Sequence, residues 1–179
     1  MQVAVLGAGT MGHGIAQVSA MAGHEVQLRD IDADIIAEGL DAIEANLTEG
    51  IDRGKVTETE RSETMERLTG TTALAEAVAG ADLVVEAVPE EMALKRETFR
   101  DVEGAVGPET VIATNTSSLS VTDLASTLEA PGRAVGLHFF NPPHIMALVE
   151  VVVAEQTSSE TLAVAREFVD SIEKTAVEV

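Results

Sequence analysis

Four histidines, His13, His24, His138 and His144, are the only side chains here whose unperturbed titration falls near neutral pH. The sequence has no cysteine and no tyrosine. Disulfides, thiolate metal ligands, a thiohemiacetal route and proton transfer by a tyrosine phenol are therefore excluded. Imidazole and carboxylate chemistry remains. His138 runs into Phe139-Phe140-Asn141-Pro142-Pro143, and twelve residues on Glu150 stands alone within Leu148-Val149-Glu150-Val151-Val152. An acid in an apolar strand is costly unless it is paired. The natural partner is the imidazole, which a carboxylate would orient as a general base. The other reading makes His138 a satisfied histidine at a strand end and Glu150 an edge-strand acid facing water; spacing alone leaves both open. His13 and His24, at a helix start and in a turn, read as solvated surface groups, and His144, after the two prolines, is the rival base.

The second constellation is Gly7-Ala8-Gly9-Thr10-Met11-Gly12, a G-x-G-x-x-G placed between a predicted strand and a predicted helix. One glycine makes the tight turn, one lets backbone approach a pyrophosphate, and one permits close helix–strand packing. Amides at the helix start, those of Thr10, Met11 and Gly12, would meet the phosphates with the positive end of the helix dipole. Alone the motif is weak, and a ligand-free turn or an FAD site would share it. Asp30 strengthens it, ending the next strand 18 residues past Gly12, where about 20 is expected. A carboxylate there accepts from ribose hydroxyls and repels a 2′-phosphate, which favours NAD over NADP. Arg29 points to the opposite face of the strand. A nicotinamide cofactor beside an imidazole base spells hydride transfer from an alcohol.

These groups need elements to hold them. Strands are expected at 2–6, 25–30, 81–88, 111–114, 134–138, 148–153 and 175–179. Helices are expected at 12–22, with Ile15, Val18 and Met21 buried; from the cap Asp32 to Ile51, closed by Gly54; from the capping pair Thr57 and Glu60 to about 68; and at 91–106 and 159–172. Strands alternating with helices from the first residue give an α/β fold of Rossmann type, doubly wound, its mostly parallel sheet covered by helices on both faces. His138 then ends a strand at the carboxyl edge, where such sheets bind ligands. The 179 residues suit one domain.

Eleven Lys+Arg against 31 Asp+Glu give a net charge of −20, and the pI is near 4.3. Nucleic acid and anionic lipid would be repelled. The acids interleave with apolar residues at helical spacing, so they do not signal disorder. No window approaches the roughly 20 apolar residues that span a bilayer. The start, Met1-Gln2-Val3-Ala4, lacks the basic region of a secretory signal. A cytoplasmic protein is expected, with no metal site. An acid-rich surface with only three lysines also resembles proteins of salt-accumulating, halophilic cells; an acidic mesophilic protein is the plainer alternative.

G-A-G-T-M-G-H-G-I-A, A-D-L-V-V-E-A-V-P-E, N-T-S-S-L-S and G-L-H-F-F-N-P-P followed by L-V-E-V-V, in this order, resemble the 3-hydroxyacyl-CoA dehydrogenases of fatty-acid and butyrate metabolism. The likeness covers essentially all 179 residues, and N-T-S-S-L and H-F-F-N-P are far more specific than the glycine fingerprint. Related gulonate- and carnitine-type dehydrogenases usually vary the second position of H-F-F-N, so the acyl-CoA branch is favoured. The resemblance implies His138 as the base and Glu150 as its partner. It places Ser117 and Asn141 at the reacting oxygen or the nicotinamide, Asp30 at the adenosine ribose, and Glu90 and Lys95 at the cofactor, although alone those two would pass as surface charges. Ser117 also counts toward the substrate, and the segment 46–55 toward the CoA phosphates, through Arg53 or Lys55. Family members continue into a helical domain with a P-G-F segment and an asparagine, which completes the acyl pocket and most of a homodimer interface; this chain ends at Val179, before that point. The expected reaction is (S)-3-hydroxyacyl-CoA, with hydroxybutyryl favoured, to 3-oxoacyl-CoA. A non-catalytic NAD-binding module and a dehydrogenase of a free hydroxy acid are the alternatives.

Overall fold

The computed structural model describes residues 1–179. In chain order the elements are β1 (Gln2–Leu6), α1 (Thr10–Met21), β2 (Glu25–Arg29), α2 (Ala33–Asp52), α3 (Glu58–Glu66), β3 (Leu68–Thr71), α4 (Leu74–Ala77), β4 (Leu83–Glu86), α5 (Met92–Ala105), β5 (Val111–Thr114), α6 (Val121–Ala125), β6 (Ala134–Phe139), β7 (Leu148–Val152), α7 (Ser159–Ser171) and β8 (Thr175–Glu178). The strands form one sheet of order β3-β2-β1-β4-β5-β6-β7-β8, parallel throughout except between β6 and β7.

Strands β4 and β5 are buried along their whole length, because each face of the sheet carries a core. On one side Val3, Val5, Leu83 and Val85 pack with Ile15 of α1, Ile43 and Leu47 of α2, and Phe168 of α7. On the other, Ala4, Leu6, Val84 and Ile112 meet Phe99 and Val102 of α5 and Leu124 of α6. Neighbouring residues point to opposite faces, so a continuous apolar run serves both cores. The expected caps form: Asp32 accepts from the Asp34 amide, and Thr57 and Glu60 close a reciprocal capping box.

Three expectations are corrected. Met21 is 43% exposed, because α1 turns it past the rim of the core that holds Ile15 and Val18. Helix α3 stops at Glu66, and Leu68–Thr71 adds an edge strand beside β2. That strand is marked by no alternation; Gly70 allows it, since a Cβ there would meet Ile36 Cγ2 of α2 at 2.4 Å. The short α4 and α6 were also not expected from periodicity, being only four and five residues long.

His24 is the third. Instead of being solvated it is 7% exposed, with Nε2 2.8 Å from Ser171 Oγ and Nδ1 3.3 Å from the N-terminal amine. Burial, with the terminal ammonium second, lowers its pKa from 6.5. A base whose folded pKa is depressed stays neutral in the fold while the unfolded chain protonates. Its contribution is therefore complete above about pH 6.5 and is lost as pH falls from there through the lowered folded value. The melting temperature is expected to drop across that window, and His24→Gln to flatten part of the drop; an unchanged slope in the variant would assign it elsewhere.

Candidate active site

The carboxyl ends of β1, β4, β5 and β6 meet in a groove of two joined clefts. The first, about 520 Å³, is lined by Gly7, Gly9, Asp30, Ile31, Pro89 and Leu94 among others. The second, about 340 Å³, is lined by Glu90, Lys95, Asn115, Ser117, His138 and Asn141 among others. Met11, Ala87 and Val88 belong to both.

The glycines divide by what surrounds them. A Cβ at Gly7, whose φ is +99°, would lie 2.6 Å from the Ala87 carbonyl oxygen, and one at Gly12 would lie 1.6 Å from the Gly7 carbonyl oxygen. Both are needed for the turn and for the seat of α1 on the sheet. A Cβ at Gly9 would meet nothing within 4 Å. Packing does not require glycine there, but the close approach of a phosphate would. Helix α1 opens at Gly9 with no side-chain cap and no acid in its first turn, so its amides are free to face an anion. Asp30 stands beside them. Its Oδ2 accepts from the Ala8 amide at 2.8 Å and its Oδ1 from the Ile31 amide at 2.7 Å, which fixes the carboxylate at the rim with lone pairs to spare. These features fit a dinucleotide: donors for the phosphates, an acceptor for the ribose, and apolar walls at Ile31, Ile35 and Leu94.

His138 and Glu150 are brought together by the one antiparallel pairing in the sheet. They are direct cross-strand partners on β6 and β7, so their side chains share a face. His138 Nδ1 lies 2.8 Å from Glu150 Oε2. A carboxylate has only acceptors, so Nδ1 carries the hydrogen, and in the neutral ring Nε2 is left as an acceptor. The Phe140 ring packs 4.7 Å from the imidazole, centroid to centroid. Glu150 is no edge acid, since β8 lies outside β7. The rival base is separated: His144 lines a third cleft, of about 290 Å³, with Gln17, Asn46, Arg53 and Lys55. Burial lowers its pKa, the charges of His13 and Lys174 add to this, and Glu49 opposes them. Arg53 and Lys55 therefore lie together but apart from His138, and Arg53 is ion-paired with Glu49.

Lys95 is not a surface charge, whereas Glu90 is exposed at the cleft rim. Lys95 is 1% exposed and donates to Glu86 Oε1 at 2.6 Å and to the Val88 carbonyl at 3.1 Å. Its ammonium lies 3.4 Å from Glu90 Oε2. Glu90 in turn accepts from Thr116 Oγ1 and from the Ser117 amide at 3.1 Å. Burial would raise the Glu90 pKa, but these hydrogen bonds and the Lys95 charge outweigh it and hold the carboxyl below its ordinary value. Asn115 was not expected; its Oδ1 accepts from the Phe139 amide at 2.8 Å and ties the end of β5 to the strand bearing His138. Glu86, fully buried, was also missed, although a lone acid in L-V-V-E carries the same signal as Glu150.

The family model for the NAD-binding domain of 3-hydroxyacyl-CoA dehydrogenases matches residues 2–179. The chain belongs to this family. It is 44% identical over 160 residues to a 3-hydroxyadipyl-CoA dehydrogenase of Escherichia coli, which covers 89% of this chain and 34% of that one. It is 38% identical over 179 residues to a 3-hydroxybutyryl-CoA dehydrogenase of Clostridioides difficile, covering 100% of this chain and 63% of that one. The crystal structure of an (S)-3-hydroxybutyryl-CoA dehydrogenase from Ralstonia eutropha superposes with a TM-score of 0.97 at 36% identity, over 99% of this chain and 62% of that one. This member of the family thus spans less than two thirds of the length of these relatives. Its cofactor is NAD, in keeping with the glycine loop and Asp30. No helix is long and apolar enough to cross a membrane.

Proposed function

We propose that this chain is the dinucleotide-binding and proton-transferring part of a dehydrogenase that interconverts (S)-3-hydroxyacyl-CoA and 3-oxoacyl-CoA, with 3-hydroxybutyryl-CoA as a substrate. The observation that carries it is the His138–Glu150 pair at 2.8 Å, in a cleft continuous with the one that holds the glycine loop and Asp30. NAD, held by the glycine loop and Asp30, would supply the acceptor for hydride from the carbon bearing the hydroxyl. His138 Nε2 takes the hydroxyl proton, and Glu150 holds the ring and balances the imidazolium charge. Ser117 Oγ and the Asn141 amide hydrogen-bond the reacting oxygen or the nicotinamide. Asp30 accepts from the adenosine ribose, and Glu90 and Lys95 bind near the nicotinamide half. Arg53 and Lys55 meet the CoA phosphates from the third cleft, where cations are concentrated in an otherwise acidic protein.

In this reading a helical domain follows in the family, closes the acyl pocket and supports a homodimer, while the acidic surface suits a salt-rich cytoplasm. The test is oxidation of NADH with acetoacetyl-CoA and with free acetoacetate, at low and high KCl. Turnover selective for the CoA ester is expected. Cofactor binding without turnover would favour a non-catalytic module, and equal use of the free acid would favour a hydroxy-acid dehydrogenase.

A further inference from the structure

Glu86, the last residue of β4, has none of its surface exposed and lines neither half of the groove. Burying an acid in the middle of a parallel sheet is costly, and an aliphatic residue would serve the core as well. The partners of Glu86 show what the cost secures. Oε1 accepts from Lys95 Nζ at 2.6 Å and from the Val88 amide at 2.7 Å, and Oε2 accepts from Thr114 Oγ1 at 2.7 Å. Lys95 then grips the Val88 carbonyl at 3.1 Å, so both polar groups at Val88 are tied to this pair. The third ammonium hydrogen is left for Glu90, 3.4 Å away, whose other oxygen holds the Ser117 amide. A line of alternating charge, negative, positive, negative, runs from the end of β4 to the cleft wall.

We propose that Glu86 is a positioning residue for the dinucleotide: by anchoring Lys95 and the Val88 peptide it sets the wall shared by the two clefts, and through Glu90 it sets the Ser117 backbone. Without its charge, Lys95 has only Glu90 as a counter-ion. Lys95 is then drawn toward Glu90 and loosens the grip of Glu90 on the 116–118 loop. The inference rests on the NAD reading above, because the wall matters only if a dinucleotide lies against it.

Glu86→Gln keeps the size and an acceptor for Val88 and Lys95, while its amide group faces Thr114, whose hydroxyl can rotate to accept. NADH is titrated, by its own fluorescence, into the 179-residue chain as wild type, Glu86→Gln, Lys95→Met and the double variant. Glu86→Gln is expected to weaken NADH about tenfold, the scale of one charge-assisted hydrogen bond. Because Glu86 acts through Lys95, the double variant should bind no more weakly than Lys95→Met alone. Unchanged NADH affinity in folded Glu86→Gln, or additive losses in the double variant, would overturn the proposal. A lowered melting temperature with unchanged affinity would make Glu86 structural only and also overturn it. Should Glu86→Gln fail to fold, Thr114→Val removes one bond to Glu86 and leaves Lys95 in place; a few-fold loss of affinity supports the proposal and none refutes it. If the wild type itself does not bind NADH, the cofactor assignment has failed rather than the role of Glu86.

Discussion

His138→Gln is expected to lower NADH-dependent reduction of acetoacetyl-CoA by a factor on the order of 10³, within the range that positioned acid–base groups contribute, while NADH affinity stays within a few-fold of wild type. Glutamine is close in size and can still hydrogen-bond Glu150 across the β6–β7 pair, so the strand register should hold. What it lacks is a basic ring nitrogen that can take the hydroxyl proton. The two properties separate because the pyrophosphate and adenosine contacts, at Gly9 and Asp30, lie in a different cleft from His138. Steady-state kinetics with a parallel NADH titration reads both. Unchanged turnover would remove the base assignment, and loss of NADH binding in step with the rate would mean that the imidazole supports the cofactor instead.

Asp30→Ala is expected to raise the dissociation constant for NADH by about ten- to a hundredfold, since a hydrogen bond to a charged group contributes about 1.5–3 kcal/mol. Discrimination against NADPH should narrow at the same time, because the charge that repels a 2′-phosphate is gone. Part of the loss comes from the loop itself, as Asp30 accepts from the Ala8 and Ile31 amides even without a ligand. Comparing the two coenzymes separates the contributions: a disordered loop weakens both, whereas a lost ribose contact changes their ratio. An unaltered constant for NADH would count against the ribose contact.

Much of the fold was legible because its signals are local. The apolar runs of β1, β4 and β5, the capping residues Asp32 and Thr57, and the glycine loop each declare themselves within a few residues. The pairing of His138 with Glu150 was legible as a possibility, since a lone acid in an apolar strand demands a partner. The antiparallel turn that makes the two residues direct neighbours carries no signature in the spacing. Strand β3 escaped notice because L-T-G-T has neither length nor alternation, and its place depends on α2 packing over Gly70.

The misread charges share a cause. His24 is buried by contacts 147 and 23 residues away in the chain, and Lys95 by the acid that ends β4. Exposure inferred from local sequence cannot register such partners. Glu86 is different. Burial holds its pKa above the ordinary carboxylate value despite the opposing Lys95 charge, and its isolation within L-V-V-E was visible in the sequence.

A crystal structure with NAD bound tests the central claim most directly. The expected result places the pyrophosphate over Gly9, the adenosine ribose at Asp30, and the nicotinamide against Met11, Ala87 and Val88 with its reactive face toward His138 Nε2, the Glu150 contact intact. A nicotinamide lying outside that cleft, or an imidazole swung away from both the ring and Glu150, would contradict the proposed chemistry even with the architecture unchanged.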